Sequence, residues 1–254
     1  MGKSFLQKFC EIFYKKKYRD GYCIYRVLFF RLKKRCETPK QIDYSKEENN
    51  NTILVIKNGK SIKNPQFIDN LQITFLGKNN HVEIELPDNS KLLDMFNGTN
   101  TITIYGNDCK LLLKKCILTN FVLNMQHNAY CEIGEGTTIG GYFHFANEKD
   151  LSLKIGKNCM FSGEVAIWGT DGHIIKDKES GQCINKATNG VAIGDHCWIG
   201  HRVTIIKNTI LQKDTIVGAC SLVKGQFNES NIIIAGNPAK IIKRNVEWDR
   251  KPIV

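Results

Sequence analysis

From Ile193 onward an aliphatic residue stands at every sixth position: Ile193, Ile199, Ile205, Leu211, Val217 and Val223. Four residues after each of the first five comes a small or compact side chain: Cys197, Val203, Thr209, Thr215 and Ser221. Shorter runs of the same spacing occur at Ile133 and Ile139, and at Ile155, Phe161 and Ile167. A helix repeats its apolar face every three to four residues and a strand every two, so neither accounts for six. A triangular coil does. Each hexad supplies one short strand and one corner, and the aliphatic points inward to stack on its counterpart about 18 residues later, three hexads on. Gly and Asn at the corners supply the positive φ that tight turns need.

The remaining chain divides by pattern. Residues 1–40 read as a helical segment, with Phe5, Leu6, Phe9, Ile12 and Phe13 at helical spacing, a break at Gly21, and a second apolar and basic stretch ending in RLKKR. Residues 41–51 (QIDYSKEENNN) read as a polar linker. Over Thr52 to Tyr130 the hexad blurs, yet LQITFLG, HVEIEL and NTITIYG between Asn, Gly and Asp turns predict irregular coils of one solenoid over 52–254. Residues 168–190 break the register and predict an extruded loop. The polar, basic tail 237–254 predicts a cap on the column.

Charge and cysteine narrow the setting. Of the net charge of +11, residues 1–40 contribute +9, twelve Lys and Arg against Glu11, Asp20 and Glu37. The rest has 24 basic and 22 acidic residues, hence +2, so basicity belongs to one segment and no nucleic-acid partner is expected. Ten scattered cysteines without a CxxC pair fit unpaired thiols in a reducing cytosol. The start lacks a small-residue cleavage site, and Leu6 fails the myristoylation pattern. A cytoplasmic protein follows, at the inner face of the membrane if residues 1–40 bind it.

Within this frame three motifs occur together: an extruded loop opening on TDGHII, the hexad pair IGDHCWIG, and a terminal AGNPAK. The stretch that carries them resembles the catalytic half of hexapeptide-repeat sugar O-acetyltransferases, such as the galactoside, maltose, virginiamycin-type and capsular-polysaccharide enzymes. The resemblance is close over roughly residues 130–250 and loose over the blurred coils. It implies an all-β solenoid, a left-handed parallel β-helix with an N-terminal helical segment, an extruded catalytic loop and a short C-terminal cap. The handedness comes from the resemblance, since the period carries no hand.

The resemblance also implies an activity: direct transfer, in a ternary complex, of acetyl from acetyl-CoA to a hydroxyl of a surface glycan (capsule or lipopolysaccharide) or its sugar precursor, in a homotrimer, without a metal. The family's loop histidine aligns with His173. An imidazole suits the step, because it titrates near neutral pH and can take the acceptor proton. Asp171 and Asp177 are candidate orienting acids or solvated loop acids. Trp198 stands at the last position of its hexad, read as an outward corner. The matching family residue lines the site, where an indole N–H helps stabilise an oxyanion. By the same alignment the pantetheine arm of coenzyme A runs along Gly200, His201 and Ala219, with Lys224, Lys240 and Lys243 toward the nucleotide. Lys replaces the Arg that relatives often carry at 240 and 243, so a point charge replaces a bidentate fork.

Other readings stand beside this one. His196 and His201 suggest zinc of the γ-class carbonic anhydrase kind, but the third ligand position, five after His201, is Ile206. An acyl-carrier-protein-dependent acyltransferase, an amino-sugar N-acyltransferase and a non-catalytic scaffold share the fold. Residues 1–40 are read either as a cover for the first coil or as a membrane-surface anchor. The cover is preferred because an open apolar end needs one. Deleting residues 1–40 should then cause aggregation or loss of the trimer in light scattering. A soluble, active truncation that only stops binding anionic vesicles would establish the anchor.

Overall fold

The computed structural model describes residues 15–19, 22–27, 30–35, 49–87, 95–140, 143–146 and 149–252. The chain divides into two compact units, Met1–Gln41 and Ile42–Val254. The larger is a parallel β-helix whose coils stack short strands on three flat faces.

Face one stacks nine strands, from Gln226–Phe227 at one end to Thr52–Lys57 and Lys60–Lys63 at the other. Face two stacks eight, from Ala239–Arg244 to Phe96–Asn97, and face three seven, from Leu222–Val223 to Leu71–Phe75. The chain visits the faces in the order one, two, three in every full coil; in one of them Val191–Ile193 is followed by Trp198–Ile199 and then Thr204–Ile206. All pairings between coils are parallel. The antiparallel exceptions lie at the ends. Lys60–Lys63 folds back on Thr52–Lys57 after Asn58 and Gly59, both at positive φ, and Ala239–Arg244 folds back on Ile232–Gly236. The face-one edge of the first coils is thus paired by the exposed lysine-bearing strand KSIK, a device that discourages further strand addition.

The hexad residues fill the prism. Ile193, Ile199, Ile205, Leu211, Val217 and Val223 are each at most 3% exposed, as are Cys197, Val203, Thr209, Thr215 and Ser221. Each fully buried aliphatic contributes about 1.5–3 kcal/mol. Buried hydroxyls are satisfied at their own corners: Thr209, Thr215 and Ser221 donate to the carbonyls of Ile206, Gln212 and Gly218, three residues back, at 2.6–2.7 Å. Beneath the start of face two, Cys116, Thr137, Cys159, Cys197 and Thr215 lie on successive coils, all buried. Burial pushes the Cys116 thiol up to about 12 and Cys131 upward too, so these thiols behave as small apolar groups.

Coil length explains where the sequence period was clear. Ala192 pairs with Ile210, 18 residues on, whereas Tyr130–Ser152 spans 22, Lys110–Tyr130 spans 20, and Thr52–His81 and His81–Lys110 span 29 each. Whatever the coil length, the strands return in register. Corners use positive φ at Asn158, Asn208, His196, Arg202, Asp214 and Cys220, so residues other than Gly and Asn also serve. At Gly194 the coils approach closely: a Cβ there would lie 2.4 Å from Lys213 N.

Three expectations need correction. The helical segment does not hold over 15–35. Lys15–Arg19, Tyr22–Val27 and Phe30–Arg35 form a three-stranded antiparallel sheet. These stretches are rich in β-branched and aromatic residues, and the sequence between the first two is Asp-Gly, a two-residue hairpin signal. Phe5, Leu6, Phe9, Ile12 and Phe13 lie outside the described residues. The extruded loop begins at 169, because Trp168 still ends the strand Val165–Trp168. The tail caps only in part: Ala239–Arg244 extends face two, and residues 245–252 turn back down the column. Among the described residues no helix is long and apolar enough to cross a membrane.

Replacing Ile205 by Ala removes one interior aliphatic from the stack and should cost about 2–5 kcal/mol in denaturant unfolding. A loss below 1 kcal/mol would mean the column repacks freely at this position.

Candidate functional site

Between Leu153 and Val191, paired neighbours on face one, the chain spends 38 residues instead of 18. The surplus leaves at the corner between faces three and one. There it forms a ribbon in which Ile184 N donates to Ile175 O at 2.9 Å and Asp177 N to Gln182 O at 2.8 Å. Ile174, Ile175 and Ile184 are exposed at 70, 54 and 65%, an apolar surface on a free-standing loop.

A polar clasp fixes this loop. Lys207, at the same corner one coil further on and only 13% exposed in its side chain, donates to Asp171 Oδ2 and to Asn185 O. Asn185 Nδ2 donates to Asp171 Oδ2 and to the carbonyl of His173, both at 2.8 Å, and its Oδ1 accepts from Ile175 N at 2.7 Å. The Lys207 ammonium first, and then Asn185, hold the Asp171 carboxyl below its usual range. Asn208 Oδ1 accepts from Thr188 N and Asn189 N at 2.9 and 2.8 Å and secures the returning end. His173 is exposed on this scaffold. Neither candidate acid meets its ring. Asp171 reaches only the His173 backbone, through Asn185, and Asp177 closes a turn by accepting from Ser180 N and Oγ at 2.7 Å.

Trp198 lies elsewhere. It is the first residue of the face-two strand Trp198–Ile199, not a corner, and its side chain points outward, 37% exposed, between Met160 and Ile216 in register. The loop leaves from the corner opposite face two and is pinned to that corner. One column therefore keeps His173 and Trp198 on different sides.

The residues aligned with the coenzyme divide similarly. Gly200, His201 and Ala219 gather at the corner between faces two and three on successive coils, where Cys220 N donates to His201 O at 2.8 Å. His201 Nε2 lies 3.9 Å from Glu164 Oε1. Lys240 and Lys243 are exposed on Ala239–Arg244, the last strand of face two, paired with Ala235 and Ile233. Lys224 follows the face-three strand Leu222–Val223 at the loop's corner, apart from the other five. His196 and His201 occupy different corners. Among the described residues no three His, Cys, Asp or Glu side chains gather to hold a metal ion.

Sequence reasoning missed the contacts of the tail. Trp248 stacks on the His196 imidazole, centroids 4.4 Å apart at 11°, and its Nε1 donates to His196 O at 2.8 Å. It also contacts Trp198, 5.9 Å between centroids at 40°. His196 Nδ1 meets Asp214 Oδ1 at 2.9 Å. Arg250 spans two further coils, donating to Thr138 Oγ1 at 2.9 Å and to the carbonyls of Gly136, Asn158 and Cys159 at 2.7–3.3 Å. Nothing in the spacing of RNVEWDR announces these contacts. Asn185 and Lys207 carried no motif either.

No protein-family model matches the sequence. Over 210 residues, 82% of this chain and 90% of the relative, it is 33% identical to a polysialic acid O-acetyltransferase of Neisseria meningitidis. Two crystal structures share the fold over 80% of the chain. The polySia-specific acetyltransferase NeuO matches over 79% of its own length with TM-score 0.67 and 28% identity. The polysialic acid O-acetyltransferase OatWY matches over 90% with TM-score 0.65 and 29% identity.

The clasp has a testable weak point. A carboxyl depressed in the folded state lends stability above its unfolded pKa, and that stability is lost as pH falls through the depressed value. The clasp is therefore complete at neutral pH and is lost only as pH falls below the ordinary carboxylate range. Asp171→Asn should let trypsin nick the loop at Lys176 or Lys178 several-fold faster than in the wild-type chain, and by a constant ratio from pH 7 to 9. Equal nicking rates would show that Lys207 and Asp171 do not hold the loop.

Proposed function

Because the chain belongs to the hexapeptide-repeat, left-handed β-helix sugar O-acetyltransferases, and is an acyltransferase of that family, we propose that it moves acetyl from acetyl-CoA to a hydroxyl of a surface glycan, with polysialic acid the first acceptor to test. The observation that carries this reading is the loop. The longest of the paired coils, 153–191, sends an excursion out at one corner, and that excursion is pinned so that an imidazole stands in solvent beside an apolar ribbon.

In the proposed mechanism the acceptor hydroxyl gives its proton to a ring nitrogen of His173 as its oxygen attacks the thioester carbonyl. The carbonyl π pair moves onto oxygen, and the Trp198 indole N–H donates to that oxyanion. Collapse re-forms the carbonyl, breaks the carbon–sulfur bond and expels the coenzyme A thiolate, which takes the proton from His173. No acyl-enzyme is needed. Cys109, Cys116, Cys131, Cys159 and Cys197 are buried in the column, Cys183 is exposed on the loop, and Cys220 is exposed at the corner that carries His201 and Ala219.

The bare corner at Gly200 and Ala219, with His201 beside it, suits a pantetheine arm, and Lys240 and Lys243 supply cations for phosphates at the end of the same face. Lys224 would serve a neighbouring column. A homotrimer follows from this division: His173 of one copy would meet Trp198 of the next, and three-fold closure would complete three sites. The apolar ribbon of Ile174, Ile175 and Ile184 would then be covered.

Acetyl transfer to polysialic acid should be measured with radiolabelled acetyl-CoA, with light scattering on the same sample. His173→Ala should lower kcat about 10²–10⁴-fold and leave coenzyme A affinity nearly unchanged, while Cys183→Ala keeps the rate. Full activity of His173→Ala would remove the base. A monomer active at high dilution would remove the shared site.

A further inference from the structure

We propose that Trp248 is a positioning residue for acetyl transfer, holding the Trp198 indole in the orientation the site uses. The inference rests on the reading of Trp198 as a site residue.

Trp198 by itself is weakly constrained. It stands on the outer side of a two-residue strand, flanked along the face by Met160 and Ile216, with more than a third of its surface in solvent. A large ring so placed has several staggered orientations open to it. Trp248 closes one side. Its own ring is fixed from three directions: stacked on His196, bonded through Nε1 to the His196 carbonyl, and contacted by Arg250, whose guanidinium carbon lies 6.0 Å from the ring centroid. It is 9% exposed. His196 is held in turn by Asp214. Order therefore passes from Asp214 through His196 and Trp248 to Trp198.

The tail is anchored on both sides of this ring. Val246 N donates to Asn231 O at 3.1 Å and Asn231 Nδ2 to Val246 O at 3.3 Å, while Arg250 grips carbonyls of the earlier coils. Ordering such a segment costs about 1–2 kcal/mol of backbone entropy per residue, and its contacts must offset that. The two grips need no tryptophan between them, yet they set its ring against Trp198. An oxyanion donor displaced by an ångström can lose as much as 10²-fold in rate, so a wall that stops the Trp198 indole from turning acts on kcat.

The test is a double-mutant cycle on acetyl transfer from acetyl-CoA to polysialic acid, with Trp198→Ala, Trp248→Ala and both. Trp248→Ala should lower kcat about tenfold with little change in the acetyl-CoA KM, Trp248→Phe should recover most of it, and the double variant should be no slower than Trp198→Ala. Additive losses, or a wild-type rate for Trp248→Ala, would overturn the inference while leaving the proposed function standing. A wild-type rate for Trp198→Ala would overturn the reading of Trp198 and this inference with it. A second measurement needs no acceptor. With Trp168→Phe and position 248 changed, Trp198 is the sole tryptophan, and its anisotropy decay should show a larger fast component with Ala at 248 than with Phe. Equal decays overturn the inference. Should Trp248→Ala not fold, Trp248→Leu takes its place in both measurements.

Discussion

The structure depends on vertical register. Each short strand of the β-helix is too brief to be stable alone, and its amides and carbonyls are satisfied only if the next coil returns to the same height and phase. The requirement extends inward, because an aliphatic that slips by one residue would face solvent and leave a void in the column. The corners absorb everything that does not fit. Coils of 18, 20, 22, 29 and 38 residues coexist with their strands in register, and in the longest the surplus leaves and re-enters at one corner.

That rule decides what the sequence could reveal. From Ile193 to Val223 the coils are minimal, so the interior residues fall on a strict six-residue lattice that can be read directly. Between Thr52 and Tyr130 the same interior positions exist, Ile53, Val82, Leu111 and Cys131 stacking on face one, but corner residues of uneven number separate them. Only two-residue alternation survives there. A related limit applies to the N-terminal basic segment: apolar spacing alone does not separate a helix from short strands, and the break at Gly21 fits either, whereas the described stretches of 15–35 are strands.

The proposed site is legible in part. His173 and Trp198 were named from motifs, because the loop's opening and the hexad pair are local strings. The groups that fix them in place are not local. Lys207 meets Asp171 from 36 residues away, Trp248 meets His196 from 52, and Arg250 meets Gly136 from 114. Contacts of that range leave no periodic trace in a single sequence, and each uses a residue type common on any surface. Trp198 shows the limit from the other side, since its hexad position was right while its placement at a corner was not: the strand is so short that strand and corner differ by one residue.

The corner exit of the loop has a consequence for how such proteins diversify. For a flexible excursion, closing a longer loop costs entropy that grows only with the logarithm of its length, about 0.6 kcal/mol per doubling. The strands below the exit and the strands above it make the same ladder whatever leaves between them. Residues of the excursion outside the Asp171, Asn185 and Lys207 clasp can therefore drift in number and composition while the column stays fixed, whereas the wall itself cannot. A single chain of this architecture thus separates an editable excursion from a fixed column, and the one can change without rebuilding the other.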